Sequence, residues 1–203
     1  MTRTVLASSN AGKLRELTAL LAPFSLELIA QSALGIEPAP ETGTTFLENA
    51  LHKARHACRH AGLAALADDS GLEVEALEGR PGVWSARFAR EGASDAENLR
   101  QLLAEMAAVP PARRQARYQC VIVFLRNAQD SAPLIARGSW EGRIATEPRG
   151  RGGFGYDPVF VPQGGQRTAA ELDSAEKNAV SHRGQALLSL VAMLRKQGYI
   201  RAA

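Results

Sequence analysis

The chain has 203 residues, a net charge of +3, 5% aromatic residues and two cysteines. That length supports one domain with a full-sized core and no need of disulfide staples, and Cys58 and Cys120, both in apolar patterns, suit reduced thiols in a cytoplasmic protein. No signal-peptide or membrane-spanning run is present, since the longest apolar stretch is only Cys120 to Leu125, and the mild positive charge tolerates an anionic partner although few rings are available to stack on nucleic-acid bases.

Thr4 to Ser8 predicts a first strand. A helix capped by Asn10 follows, with Leu14, Leu17, Leu20 and Leu21 on one face and Pro23 as its stop. Phe24 to Ala30 alternates as a second strand. A Pro/Gly-rich loop leads to a helix that opens with the Thr45/Glu48 capping box. This helix buries Phe46, Leu47, Ala50, Leu51, Ala54, Cys58 and Ala61, and ends at Gly62. Leu63 to Ala67 reads as the third strand, stopped by the acidic pair Asp68-Asp69. Ser94 and Glu97 form a second capping box, ahead of Leu99, Leu102, Leu103 and Met106. "RYQCVIVFLR" is β-branched and apolar, so it belongs in the centre of a sheet. Leu134 to Ile144 is a further strand in which Gly138 and Gly142 suggest bulges. A helix from about Ser181 to Gln197, with Leu187, Leu190, Val191 and Leu194 inward, ends the chain. The mixture is α/β, over a single domain spanning residues 1–203.

Five stretches carry candidate chemistry. In "SSNAGKLRE" a strand meets a helix at Gly12-Lys13, which makes either a phosphate cradle on the helix N-terminus or an ordinary capped helix; it is not a Walker A loop, because its spacing is wrong. In "ADDSG", neighbouring strand residues face opposite ways, so Asp68 and Asp69 cannot share a ligand within a strand. One carboxylate can aim at Mg²⁺ while the other braces structure, or the pair can form a polar strand end turning at Ser70-Gly71. Glu41 in "ETG" is either a second metal ligand or a complement to the helix dipole. "GGFGYDP" sets Phe154 and Tyr156 between glycines, where the rings either stack on a planar base or plug the core. "SAEKNAVSHRG" brings Lys177, His182 and Arg183 to a helix start, facing an anionic or carbonyl-rich ligand or only solvent. His52, His56 and His60 have zinc-like i,i+4 spacing but lack partners, so they read as a solvated face shared with Lys53 and Arg59.

In this order, "SSNAGKLRE", "ETGTTFLENALHKA", "ADDSGLEVEALEGRPGVWSARF", "GGFGYDPVF" and "AEKNAVSHRGQAL" resemble the inosine triphosphate pyrophosphatase family, including the bacterial dITP/XTP pyrophosphatases, over nearly the whole chain. One departure is Ser8-Ser9-Asn10, where the family usually has Thr-Gly-Asn. The resemblance implies an elongated mixed-sheet α/β fold with two lobes and a central substrate cleft. It implies a cytoplasmic homodimer that uses Mg²⁺ to convert ITP, dITP, XTP and dXTP into monophosphate and pyrophosphate, and that binds neither nucleic acid nor membrane. By match to the family's motifs, Ser8, Ser9, Asn10, Ala11, Gly12 and Lys13 would hold the triphosphate. Asp69 would be the catalytic base and a metal ligand, with Glu41 as a second ligand. Ser70 would touch substrate, and Phe154, Gly155, Tyr156, Asp157, Lys177, His182 and Arg183 would complete the pocket around the base.

This implied chemistry is physically coherent. Metal and Lys13 neutralise the phosphates before a nucleophile approaches, and Asp69 deprotonates water. Inosine and xanthine present an acceptor at the purine 6-position whereas adenine presents a donor, so Arg183, which only donates, favours the former. Guanine shares the 6-carbonyl, and excluding it requires a wall against its 2-amino group. The rival readings are a pyrophosphatase for other modified nucleotides and a non-catalytic nucleotide- or RNA-binding module built on Lys13, Arg59, Lys177 and Arg183.

Overall fold

The computed structural model describes residues 2–24 and 26–200. In chain order the regular elements are β1 (Thr2–Leu6), α1 (Ala11–Leu21), β2 (Leu26–Ala30), α2 (Phe46–Ala61), β3 (Ala64–Val74), α3 (Asp95–Glu105), β4 (Gln115–Leu125), β5 (Leu134–Ile144), β6 (Phe160–Pro162), α4 (Ser174–Val180) and α5 (His182–Lys196). The strands form a six-stranded sheet in the order β2-β1-β3-β4-β5-β6. β1 runs parallel to β2 and β3, and β5 is antiparallel to β6. The predicted mixed α/β class is therefore present, and all of "RYQCVIVFLR" but Arg126 lies in an interior strand.

The chain divides into two compact units. One comprises the residues up to Asp69, Cys120–Gly138 and those from Arg183 on; the other comprises Ser70–Gln119 and Ser139–His182.

In the first unit, strand alternation sorts the core into two layers. Leu6, Leu66, Cys120, Ile122 and Phe124 pack with Leu17 and Leu21 of α1 and with Ala186, Leu187, Leu190, Val191 and Leu194 of α5. Their strand neighbours Val5, Ala7, Ala65, Ala67, Val121, Val123 and Leu125 pack instead with Ala50, Ala54, Ala57 and Cys58 of α2. Helices thus cover both faces of these strands. Each buried leucine contributes on the order of 1.5–3 kcal/mol, so the Leu187/Leu190/Leu194 stripe holds α5 far more firmly than helix propensity does. Cys58 and Cys120 are free and buried. Burial pushes their thiols up to about 11 and about 12, which leaves them unreactive.

The second unit packs Leu72, Val74, Leu99, Leu102, Met106, Tyr118, Trp140, Ile144, Tyr156, Val159 and Phe160 into one core.

Local signals placed the helix starts well. Asn10 caps α1 by accepting from the Lys13 amide, and both predicted capping boxes are formed. Gly62 closes α2 at φ 65°. The second strand begins at Leu26 rather than Phe24, and Ser25 lies outside the described residues. The third strand does not stop at Ala67 but continues to Val74. Asp68 and Asp69 are therefore mid-strand residues. β5 is a single strand of 11 residues. At Gly142 the reason for glycine is close approach: a Cβ there would lie 2.4 Å from the Val161 carbonyl and 2.7 Å from the Phe160 ring. The stretch read as the start of the last helix holds a separate short helix, α4, capped by Asp173 with Glu176 and ended at Ser181.

Candidate active site

The side-chain alternation that divides the first unit's core also divides the acidic pair. Asp68 continues the row of Leu66, on the face covered by α1 and α5. Its Oδ2 lies 3.1 Å from Lys13 Nζ and 3.4 Å from Arg183 Nε. Asp69 continues the row of Ala65 and Ala67, on the α2 face. Its Oδ1 accepts from Lys53 Nζ at 2.8 Å and its Oδ2 from Asn49 Nδ2 at 3.2 Å. Both carboxylates are buried, at 1% and 5% exposure, yet their ionisation differs. Burial opposes charge on Asp68, but Lys13, Arg183 and Lys53 outweigh it and hold the carboxyl well below the ordinary value. Burial wins at Asp69, whose carboxyl is raised despite Lys53 and Lys13. Asp68 is thus a fixed anion inside a cationic cage, and Asp69 is the more basic of the two.

Beside Asp68 runs the turn from β1 into α1. The Ala7 amide donates to the Leu66 carbonyl at 2.8 Å, which carries the parallel pairing up to the acidic pair. Ser8 is buried and its hydroxyl accepts from the Asn10 amide at 3.3 Å. Ser9, Asn10 and Ala11 are exposed, and Gly12 is buried. The first-turn amides of a helix have no intrahelical acceptors, so this exposed turn, with Lys13 behind it, has the donors and charge to receive phosphate oxygens. Arg183 is only 2% exposed. It pairs with Glu16 of α1 as well as with Asp68, and these carboxylates hold its guanidinium firmly charged against the cost of burial.

On the α2 face, one ammonium links the predicted metal ligands. Lys53 Nζ lies 2.9 Å from Glu41 Oε1 and 2.8 Å from Asp69 Oδ1. Glu41 is brought there by the segment ahead of α2. The Gly43 amide donates to Asn49 Oδ1 at 2.8 Å, and a Cβ on Gly43 would lie 2.7 Å from that oxygen. Two carboxylate oxygens already converging on a single cation are a donor set that fits Mg²⁺. That ion takes hard oxygen ligands and usually completes its shell with water and substrate phosphate. Among the described residues no group of three or more His, Cys, Asp or Glu is arranged to hold a metal. Two of the α2 histidines have backbone partners: His56 Nε2 lies 2.9 Å from the Glu37 carbonyl, and His60 Nδ1 lies 2.9 Å from that of His56.

In the second unit the glycine loop closes around Asp157. This carboxylate is 2% exposed. Its Oδ2 accepts from Lys177 Nζ at 2.6 Å and from the Phe154 amide at 2.9 Å. The two aromatic rings part company. Tyr156 is buried in the core and donates to the Ser85 carbonyl at 2.8 Å. Phe154 is half-buried, with Lys177 Nζ 4.8 Å from its ring centre. Of the two rings, Tyr156 is the core plug and Phe154 is the more accessible one. The Gly155 amide donates to Asp95 Oδ2 at 2.7 Å, which ties the loop to the start of α3. His182 is buried against Tyr118, with ring centres 4.6 Å apart and planes 9° apart. Ser70 is partly buried on β3.

Gly153 has φ 70°, and a Cβ there would lie 2.0 Å from Asp157 Oδ2. Gly153→Ala is expected to cost about 2–3 kcal/mol, combining the left-handed backbone penalty with displacement of a buried carboxylate. A urea unfolding midpoint lowered at unchanged slope would show it.

The sequence brings together residues that its local reading did not single out. Its charge and histidine neighbours place Lys53 on a solvated basic face, yet its side chain is only 12% exposed. It lies on the inward stripe that also carries Phe46, Ala50, Ala54 and Ala57, as does Asn49, which is fully buried. A polar residue on an apolar stripe was the available signal. Glu16 and Tyr118 carried no comparable local mark.

The chain is similar to known proteins along nearly its full length. The dITP/XTP pyrophosphatase of Shigella flexneri is 55% identical over 195 residues, covering 96% of this chain and 99% of that protein. The structure of a HAM1 protein from Coxiella burnetii superposes with a TM-score of 0.89 at 50% identity, covering 97% of this chain and all of that one. The Staphylococcus aureus Ham1 protein gives a TM-score of 0.84 at 34% identity and the same coverage. The sequence model of the Ham1 family matches residues 4–193, and the chain belongs to that family.

Proposed function

We propose that this chain is a dITP/XTP pyrophosphatase, which cleaves ITP, dITP, XTP and dXTP to the monophosphate and pyrophosphate and so clears deaminated purines from the nucleotide pool. The observation that carries this reading is the buried pair Asp68-Asp69, one carboxylate caged by Lys13 and Arg183 and the other left basic beside Lys53 and Glu41. A non-catalytic binding module would have no use for a buried carboxylate of raised basicity next to a phosphate-binding turn.

The triphosphate is assigned to Ser8, Ser9, Asn10, Ala11, Gly12 and Lys13, whose amides and ammonium neutralise its charge. Asp69 orients and deprotonates the attacking water, and its raised affinity for protons suits that task. Glu41 and Asp69 would hold Mg²⁺, which when bound supplies charge neutralisation at the phosphates. Ser70 contacts substrate. The base is assigned to Phe154, Gly155, Asp157, Lys177 and His182, with Phe154 as the stacking ring and Lys177 as a further donor, while Tyr156 supports the loop from the core. Arg183 is the donor to the 6-carbonyl, through a guanidinium pre-positioned by Glu16 and Asp68. A 6-amino purine would set donor against donor and leave a buried group unpaired, at about 1–3 kcal/mol.

The same reading makes the protein a cytoplasmic homodimer that needs no nucleic acid. No described helix is long and apolar enough to cross a membrane. Trp84 and Leu188 are 55% and 63% exposed, as expected of side chains that meet another copy.

Incubation with dITP and Mg²⁺ should yield dIMP and pyrophosphate, with dATP turned over at least ~10-fold less efficiently and chelation abolishing turnover. Release of single phosphate with dIDP would refute the assignment. Preferential cleavage of modified pyrimidine triphosphates in the same panel would move the chain to another substrate class.

A further inference from the structure

Tyr118 lies on β4 and is 7% exposed. Its ring is part of an aromatic cluster, 4.7 Å from Phe160 and 6.4 Å from Trp140 between centres. A phenylalanine would fill that space equally well, so the hydroxyl is the informative atom. A buried phenol hydroxyl is costly unless it has a partner. Here it donates to Asp157 Oδ1 at 3.3 Å, while the Lys177 ammonium and the Phe154 amide are on Oδ2. The ring of the same residue lies parallel to His182, at 4.6 Å and 9°.

We propose that Tyr118 is a positioning residue for base recognition: its hydroxyl fixes Asp157, and through it Lys177 and the Phe154 amide, while its ring fixes the plane of His182. The inference rests on the assignment of these four residues to the purine base. It does not involve the bond that is cleaved. Loss of the hydroxyl takes one donor from Oδ1 of a buried carboxylate, which loosens its hold on the ammonium and amide it now aligns. The consequence belongs in substrate binding rather than in the chemical step.

Two variants separate the parts. Tyr118→Phe keeps the ring and removes the hydroxyl; Tyr118→Leu removes both. For Tyr118→Phe, KM for dITP should rise about tenfold with kcat within about twofold of wild type, a split that a loss of folded protein does not produce. Tyr118→Leu should raise KM further. It should also move the His182 ring-proton resonances downfield as the ring current is lost, whereas Tyr118→Phe leaves them in place. An unchanged KM in Tyr118→Phe, or a fall in kcat alone, overturns the hydroxyl's role. His182 resonances identical in all three proteins overturn the ring's role. Wild-type turnover of dITP reports separately on the proposed function, and the resonance measurement needs no turnover.

Discussion

Asp69→Asn is expected to lower dITP turnover by about three orders of magnitude and to leave the thermal midpoint within a few degrees of wild type. Both halves follow from the environment of the carboxylate. Asn has the same shape and its one oxygen can still accept from Lys53, at the loss of the Asn49 hydrogen bond, but it cannot take a proton from water and is a poor metal ligand. Loss of a general base costs about 10²–10⁴-fold, and loss of one of two protein oxygens for Mg²⁺ adds to that. Stability is spared because burial raises the Asp69 carboxyl above its ordinary value. A raised carboxyl means that the folded state disfavours its charge, so at neutral pH the ionised group is a stability cost that the neutral amide removes. Lys53 keeps Glu41 as a partner at 2.9 Å. Steady-state kinetics with dITP, paired with a thermal melt, checks both. Full activity in the variant would move the base elsewhere, most directly to Asp68. Lost activity together with a large fall in midpoint would make Asp69 a structural residue.

Much of this site was legible because its motifs are local. The Asn10 cap and the Thr45/Glu48 and Ser94/Glu97 boxes are set by residues within three positions of one another, and each formed as read. Strand alternation alone required Asp68 and Asp69 to diverge, and they do. β3 runs further than its local signals indicate. Ser70-Gly71 is a turn-prone dipeptide, but β3 is an interior strand, and pairing in the sheet overrides local preference. At Lys53 charge and position give opposite signals. Its place on the inward stripe of α2 was readable, but the carboxylates that make an inward lysine tolerable come from Glu41 and Asp69, which are distant in sequence. Tyr118 shows the limit most clearly. It reads as one more apolar residue of a central strand, and the partner that gives its hydroxyl a purpose is 39 residues away.

Asp68→Asn should behave in the opposite way to its neighbour, destabilising the protein by about 3 kcal/mol, a fall in thermal midpoint of about 6–12 °C for a domain of this size. Asp68 is 1% exposed and meets Lys13 and Arg183. Removing its charge takes a carboxylate from both Lys13 and Arg183, of which Arg183 keeps Glu16, and an undercompensated buried charge is costly. The same caging fixes the pH dependence. The Asp68 carboxyl lies well below its ordinary value of 3.8 when folded. The folded state therefore binds fewer protons at this group than the unfolded chain does. Its contribution is fully present above about pH 4–5 and is lost progressively as pH falls through 3.8 toward the folded value. In chelator-treated protein, wild type should lose stability more steeply than Asp68→Asn below pH 4, so the two melting curves converge in acid. A double variant that adds Lys13→Met should recover part of the loss, because one of the stranded cations goes with it. A wild-type-like midpoint in Asp68→Asn at neutral pH would show that the cage does not stabilise the fold, and would leave phosphate binding as the sole reason for Lys13 to be there.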